Sequence, residues 1–72
     1  MKNMKIEIND TQPLDEVVGE LDRLGYRCAC KSVFGAQTIT TWNSGHYHEV
    51  GLPVIMVDNG ELTTLAELKE MK

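Results

Sequence analysis

Positive charge is scarce in this chain, and what there is does not cluster. Seven Lys and Arg stand against eleven Asp and Glu, a formal net charge of −4. Without a stripe of cations there is no electrostatic footprint for a phosphate backbone, so nucleic acid is not expected as a direct ligand. Cysteine is almost as sparse. Cys28 and Cys30 are too few for a disulfide framework, and their spacing is not that of a redox Cys-x-x-Cys pair. Residues two apart on one strand also point the same way and seldom bridge. A reducing, cytoplasmic setting is the expectation. No apolar run approaches the ~18 residues that a membrane span needs. The opening ten residues carry charges but no apolar stretch of a secretory signal, so no membrane partner is expected. Internal repeats, linkers and low-complexity segments are also lacking.

What remains is 72 residues with ordinary apolar and charged content, enough for one small domain. A chain of this size buries only ~60% of the surface its unfolded form exposes, so its core is thin. Met4, Ile6 and Ile8 alternate with Lys5, Glu7 and Asn9, the period of a half-buried strand. Asp10-Thr11-Gln12-Pro13 breaks that strand and opens a helix, with Thr11 or Gln12 as cap and Pro13 in the first turn. Leu14, Val17, Val18, Leu21 and Leu24 then form an apolar helical stripe ended by Gly25. Tyr26 to Lys31 alternates again, with Tyr26, Cys28 and Cys30 on one face. Phe34-Gly35-Ala36 reads as a turn and Gln37 to Trp42 as a β-branched strand of uncertain phase. Asn43-Ser44-Gly45 is a turn signal, and His46 to Val50 suits either strand or loop.

Val54-Ile55-Met56-Val57 is the one four-residue run made wholly of aliphatic residues and Met. Closed by Asp58-Asn59-Gly60, it predicts a strand buried on both faces and central to the domain. Asn59-Gly60 suits a type I′ turn. Thr64 to Met71 predicts a second helix, with Thr64 and Glu67 as a capping box and Leu65, Leu68 and Met71 as its stripe. The order is β-α-β-β-(β)-β-α. The fold class it predicts is α+β, a two-layer sandwich of a small mixed sheet of three to five strands with two helices on one face. If the first two strands pair in parallel, the first helix is their right-handed crossover.

Three constellations can carry function. Cys28-x-Cys30 with His46-x-His48 is a chemically sound tetrahedral set for Zn²⁺, although zinc modules favour wider cysteine spacing. The plainer reading makes the cysteines small core residues and the histidines a loop; no metal or cofactor is expected. Trp42, His46, Tyr47 and His48 form a polar-aromatic patch of the kind that anchors protein contacts. The histidines also suit acid–base chemistry. No nucleophile motif accompanies them, and Glu49 is the only nearby carboxylate, so no catalytic residue is assigned. Asp15, Glu16, Glu20 and Asp22 give the first helix an acidic face suited to a basic partner surface, or simply to solvent.

Two family resemblances follow from the motifs. Gly51-Leu52-Pro53-Val54-Ile55-Met56-Val57, then Asn59-Gly60 and a short helix, is similar to the tail of a glutaredoxin, and Met4 to Gly25 matches that family's opening strand and helix. The resemblance implies a cis proline beside an active site. The family's Cys-x-x-Cys falls where this chain has Asp10-Thr11-Gln12-Pro13, so it implies a fold without the thiol chemistry. The helix required before the proline falls on Gln37 to Trp42, which favours a strand. The α-β-β-β-α order from Leu14 to Met71 is similar to small toxin ribonucleases with a double-stranded-RNA-binding-like fold. Their Gly-Ser-His is replaced here by Phe34-Gly35-Ala36-Gln37, and their basic charge by an acidic one.

The function expected from the sequence is non-catalytic: a small acidic intracellular inhibitor or adaptor that contacts another protein. Its size and lack of catalytic motifs suit a protein encoded by a phage or other mobile element. The alternatives are a divergent thioredoxin-like protein without its Cys-x-x-Cys, and a small nuclease or metal-stabilised module.

Overall fold

Alternation at the N-terminus puts Met4 and Ile6 fully inside and leaves Lys5 half-buried on the opposite face. This strand, β1 (Met4–Glu7), has a neighbour on each side. In the computed structural model, which describes residues 1–32 and 35–72, it is followed by α1 (Leu14–Arg23), β2 (Arg27–Cys30), β3 (Thr38–Thr41) and β4 (His46–Val50). A single 3₁₀ turn (Val54–Met56), β5 (Glu61–Thr63) and α2 (Leu65–Glu70) complete the described chain. The fold is α+β. Among the described residues there is one five-stranded mixed sheet, ordered β2-β4-β3-β1-β5, with both helices packed on one face.

Register builds the core. Ile6 lies opposite Ile39 and Thr41 opposite Tyr47, so these side chains share the helix-covered face with Met4. Val17 and Leu21 from α1 and Leu65 and Leu68 from α2 close over them, with Tyr26 at the margin. Each such aliphatic side chain stabilises the fold by ~1.5–3 kcal/mol when fully buried. The phase of β3 thereby resolves. Ile39 and Thr41 face the helices, while Thr40 and, just past the strand, Trp42 belong to the other side.

The helix ends follow local chemistry, with one difference. Pro13, in extended conformation, occupies the cap position of α1, and no side chain caps it. Thr11 and Gln12 are instead drawn into a turn in which Asn9 Oδ1 accepts from the Thr11 and Gln12 amides. Gln12 is better used elsewhere, because its Oε1 accepts from the Leu65 amide at the start of α2. At the other end Gly25 takes φ +96°, its amide donating to Asp22 O while the Tyr26 amide donates to Leu21 O. This is the Schellman pattern for which glycine is suited. The predicted capping box of α2 is present in both directions between Thr64 and Glu67.

The aliphatic run is where the structure departs most from expectation. Val54 to Val57 is not a strand: Val54–Met56 form the 3₁₀ turn, with Ile55 85% and Met56 63% exposed. Only Val57 is buried, and it lies outside the main core cluster. The edge of β1 that such a strand would use is taken by β5, the three residues that directly follow Asn59-Gly60. That turn is not type I′ either. Gly60 has φ +91° but Asn59 does not share a positive φ, which type I′ requires at both positions. The predicted turn at Phe34-Gly35-Ala36 falls partly outside the described residues.

The topology explains the run. β1 and β2 run parallel without pairing, because β3 and β4 lie between them. α1 is the crossover from β1 to β2. β4 and β5 are parallel as well, and their crossover travels across the sheet in the opposite direction. Two right-handed crossovers moving in opposite directions must use opposite faces. The segment from Gly51 to Gly60 accordingly passes over the face without helices. Thr38 Oγ1 donates to Leu52 O there, and Lys5 Nζ donates to Val57 O at 2.7 Å.

Both resemblances differ from this structure. Among the described residues no peptide bond is cis, including that before Pro53, and Gln37 to Trp42 contains β3 rather than a helix. β2 pairs with β4 in parallel, so β2, β3 and β4 are not the antiparallel succession of a double-stranded-RNA-binding fold.

Candidate functional site

The face of the sheet without helices carries two features, one at each end. At the β2–β4 end lies an open groove of about 410 Å³ lined by Ala29, Trp42, Asn43, Ser44, His46 and His48. Strand alternation sends His46 and His48 to this face, and the tight β3–β4 hairpin sets Trp42 beside them. The Trp42 and His48 rings are tilted, with centroids 5.7 Å apart. Trp42 remains 37% exposed. Ser44 Oγ lies 3.2 Å from His46 Nδ1, a local contact within the turn. Among the described residues no third group hydrogen-bonds to that imidazole, so the pair lacks the orienting partner that nucleophilic catalysis uses.

At the β1–β5 end lies an apolar ridge that sequence reasoning missed. The 3₁₀ turn packs against β1, and Leu62 of β5 stands beside Lys5 on the same face. Lys5 in turn holds the crossover through Val57 O. Ile55, Met56 and Leu62, the last 60% exposed, therefore stand in solvent at this end of the face, with half-exposed Leu52 further along the crossover. Among the described residues these are four of the six large apolar side chains that the fold leaves exposed, and apolar side chains grouped on one face are a feature that contact surfaces share. The signal was in the sequence, but a short apolar run does not reveal which side of it is wet.

Tyr47 does not join His46 and His48. As the residue between them it points to the helix face, where it is only 4% exposed and lies in the core cluster. Burial comes first, and then the neighbouring Cys28 together with Asp22 and Glu49, in pushing its phenol up to about 12. It is protonated throughout the neutral range and is not a general base there. It borders a cleft of about 420 Å³ with Leu14, Asp15, Val18, Lys31 and Glu49, on the far side of the sheet from the histidines.

The acidic residues of α1 are also on the helix side. Asp15, Glu16 and Asp22 are exposed, whereas Glu20 is half-buried and accepts from Arg23 Nε at 2.8 Å. Arg23 donates as well to Leu68 O, so this pair fastens α1 to α2. A partner seated on the helix-free face would not reach these carboxylates.

The cysteines are not core residues. Every residue of β2 is exposed, and both thiols are free. The register of β2 on β4 shifts between Cys28, opposite Tyr47, and Cys30, opposite His48. Among the described residues no three His, Cys, Asp or Glu side chains come together in a possible metal site, so Cys28, Cys30, His46 and His48 are not assembled into one. No protein-family model, curated protein or solved structure matches the chain.

Proposed function

We propose that this chain is a non-catalytic protein-binding module, an inhibitor or adaptor, that engages another polypeptide through the helix-free face of its sheet. The observation that carries this reading is the exposure of Ile55, Met56 and Leu62 on a domain too small to spare apolar side chains from its core. Exposed aliphatic side chains scattered singly need no explanation, but a ridge of them does. Trp42 at the opposite end of the face supplies an aromatic anchor of the kind enriched at binding hot spots. The exposed, unbridged thiols of Cys28 and Cys30 suit a reducing compartment, which supports an intracellular site of action. The net charge of −4 argues for a polypeptide rather than a nucleic acid as the direct ligand.

The test is capture of partners from cell lysate by the immobilised chain and by two variants, Trp42→Ala and Ile55→Lys with Met56→Lys. The expected result is a protein retained by the native chain and lost, at least tenfold, with one variant or both. Equal retention by all three would overturn the assignment to this face.

A further inference from the structure

The two edges of the sheet are not protected alike. β2 carries the devices that blunt an edge: a register shift at Cys28–Cys30, and Arg27 on the strand with Lys31 just beyond it. β5 has neither a bulge nor a lysine or proline within Glu61–Thr63, and only its three-residue length and the charge of Glu61 guard it. Its hydrogen bonding is half used. The Glu61 amide donates to Asn3 O, and the parallel register places Lys5 opposite Leu62, so Glu61 and Thr63 address β1. In a parallel pair the residue between them turns its N–H and C=O away. The middle residue of β5 thus presents one donor and one acceptor outward, next to the apolar ridge.

We infer that β5 is a self-association edge, at which a second copy of this chain pairs antiparallel to form a ten-stranded sheet with its two-fold axis at Leu62. This rests on the reading of the helix-free face as a protein-binding surface and names one partner for it. An isologous contact requires a patch complementary to itself, and a single outward N–H and C=O on one residue meet that condition. The Leu62 amide of each copy donates to the Leu62 carbonyl of the other. Glu61 then falls opposite Thr63 of the second copy, so like charges are not opposed.

The ridge follows the same axis. With strands ~4.8 Å apart, the two β1 strands stand roughly 14 Å from one another across the paired β5 strands. Each 3₁₀ turn packs against its own β1, so the two turns lie on the same face, one on either side of the two Leu62 side chains. The exposed apolar side chains of two copies add a shared apolar contact to the backbone pair, at the small end of the range for specific interfaces. With only one reciprocal backbone pair, the apolar ridge supplies most of the affinity. A dissociation constant of roughly 30–300 µM is expected.

Sedimentation equilibrium from about 1 to about 500 µM, together with amide exchange at both ends of that range, tests the inference. The mass is expected to rise from 8.1 kDa towards twice that value, and the Leu62 amide to gain protection with concentration. Leu62→Pro removes the outward N–H, a substitution tolerated on the free side of an edge strand. It should weaken association roughly tenfold or more. Ile55→Lys should do the same from the side-chain end, and because that residue is exposed it keeps the test open should the proline variant fail to fold. A constant 8.1 kDa mass would overturn the inference, as would a dimer untouched by Ile55→Lys or a Leu62 amide that stays unprotected in the dimer. A chain that remains monomeric yet captures another protein through Ile55 and Met56 would refute self-association and leave the binding-module reading standing. Failure of both capture and association would remove both.

Discussion

Tyr47 shows how one residue's placement changes what it can do. Between two histidines in sequence it reads as part of an exposed patch, but strand alternation buries it against Leu14 and Val18. Its phenol, pushed up to about 12 from an ordinary 10, binds its proton more tightly in the folded state than in the unfolded one. The stability this contributes is fully present below pH 10 and is lost as pH rises towards 12, by at most about 3 kcal/mol. Tyr47→Phe should therefore flatten the fall in stability across that window, read as the difference between the two chains in denaturant midpoints from pH 9 to 12. Identical slopes would mean that the phenol is solvated. The same burial means that removing Tyr47 perturbs folding, so only Trp42, His46 and His48 among that cluster are usable as surface probes.

Elements set by local chemistry were legible in the sequence. The stripe from Leu14 to Leu24, Gly25 as its stop, and the Thr64–Glu67 box each needed only a few adjacent residues, and each formed. Elements set by competition for a neighbour were not. Val54 to Val57 has the composition of a buried strand, yet β1 has two edges, and β3 and β5 fill them. Glu61–Thr63 was too short and too polar to announce itself, and it holds its place because the Asn59-Gly60 turn delivers it there. That turn is tight. A Cβ on Gly60 would lie 2.8 Å from the backbone of Met4, whereas one on Gly25 meets only the flexible tip of Met1 at 3.2 Å. Gly60→Ala should cost ~2–4 kcal/mol from a positive φ combined with a backbone clash. Gly25→Ala should cost only about 1–2 kcal/mol. Thermal or urea unfolding of the pair checks the ranking, and equal costs would show that β5 does not press on β1 at this point. The candidate site was half legible for the same reason. His46 and His48 share a face as soon as their segment is a strand, but the ridge at the other end of that face depends on a crossover whose path is decided by the whole sheet.

At the scale of the molecule, a thin core is built on one side and exposed apolar side chains are left on the other. Both helices cover Met4, Ile6, Ile39 and Tyr47, and the opposite face receives only an irregular segment pinned by Thr38 and Lys5. That asymmetry is the origin of both the Trp42–His46–His48 groove and the Ile55–Met56–Leu62 ridge. Everything proposed for the protein depends on the aliphatic run lying outside the interior. The most direct measurement is the thermal unfolding of Ile55→Lys with Met56→Lys at about 1 µM, where mass action keeps self-association from contributing. With both side chains in solvent, stability should stay within about 1 kcal/mol of the native chain and unfolding should remain cooperative. If the run were a buried strand, two lysines in the core would abolish cooperative unfolding, and that result would contradict the account.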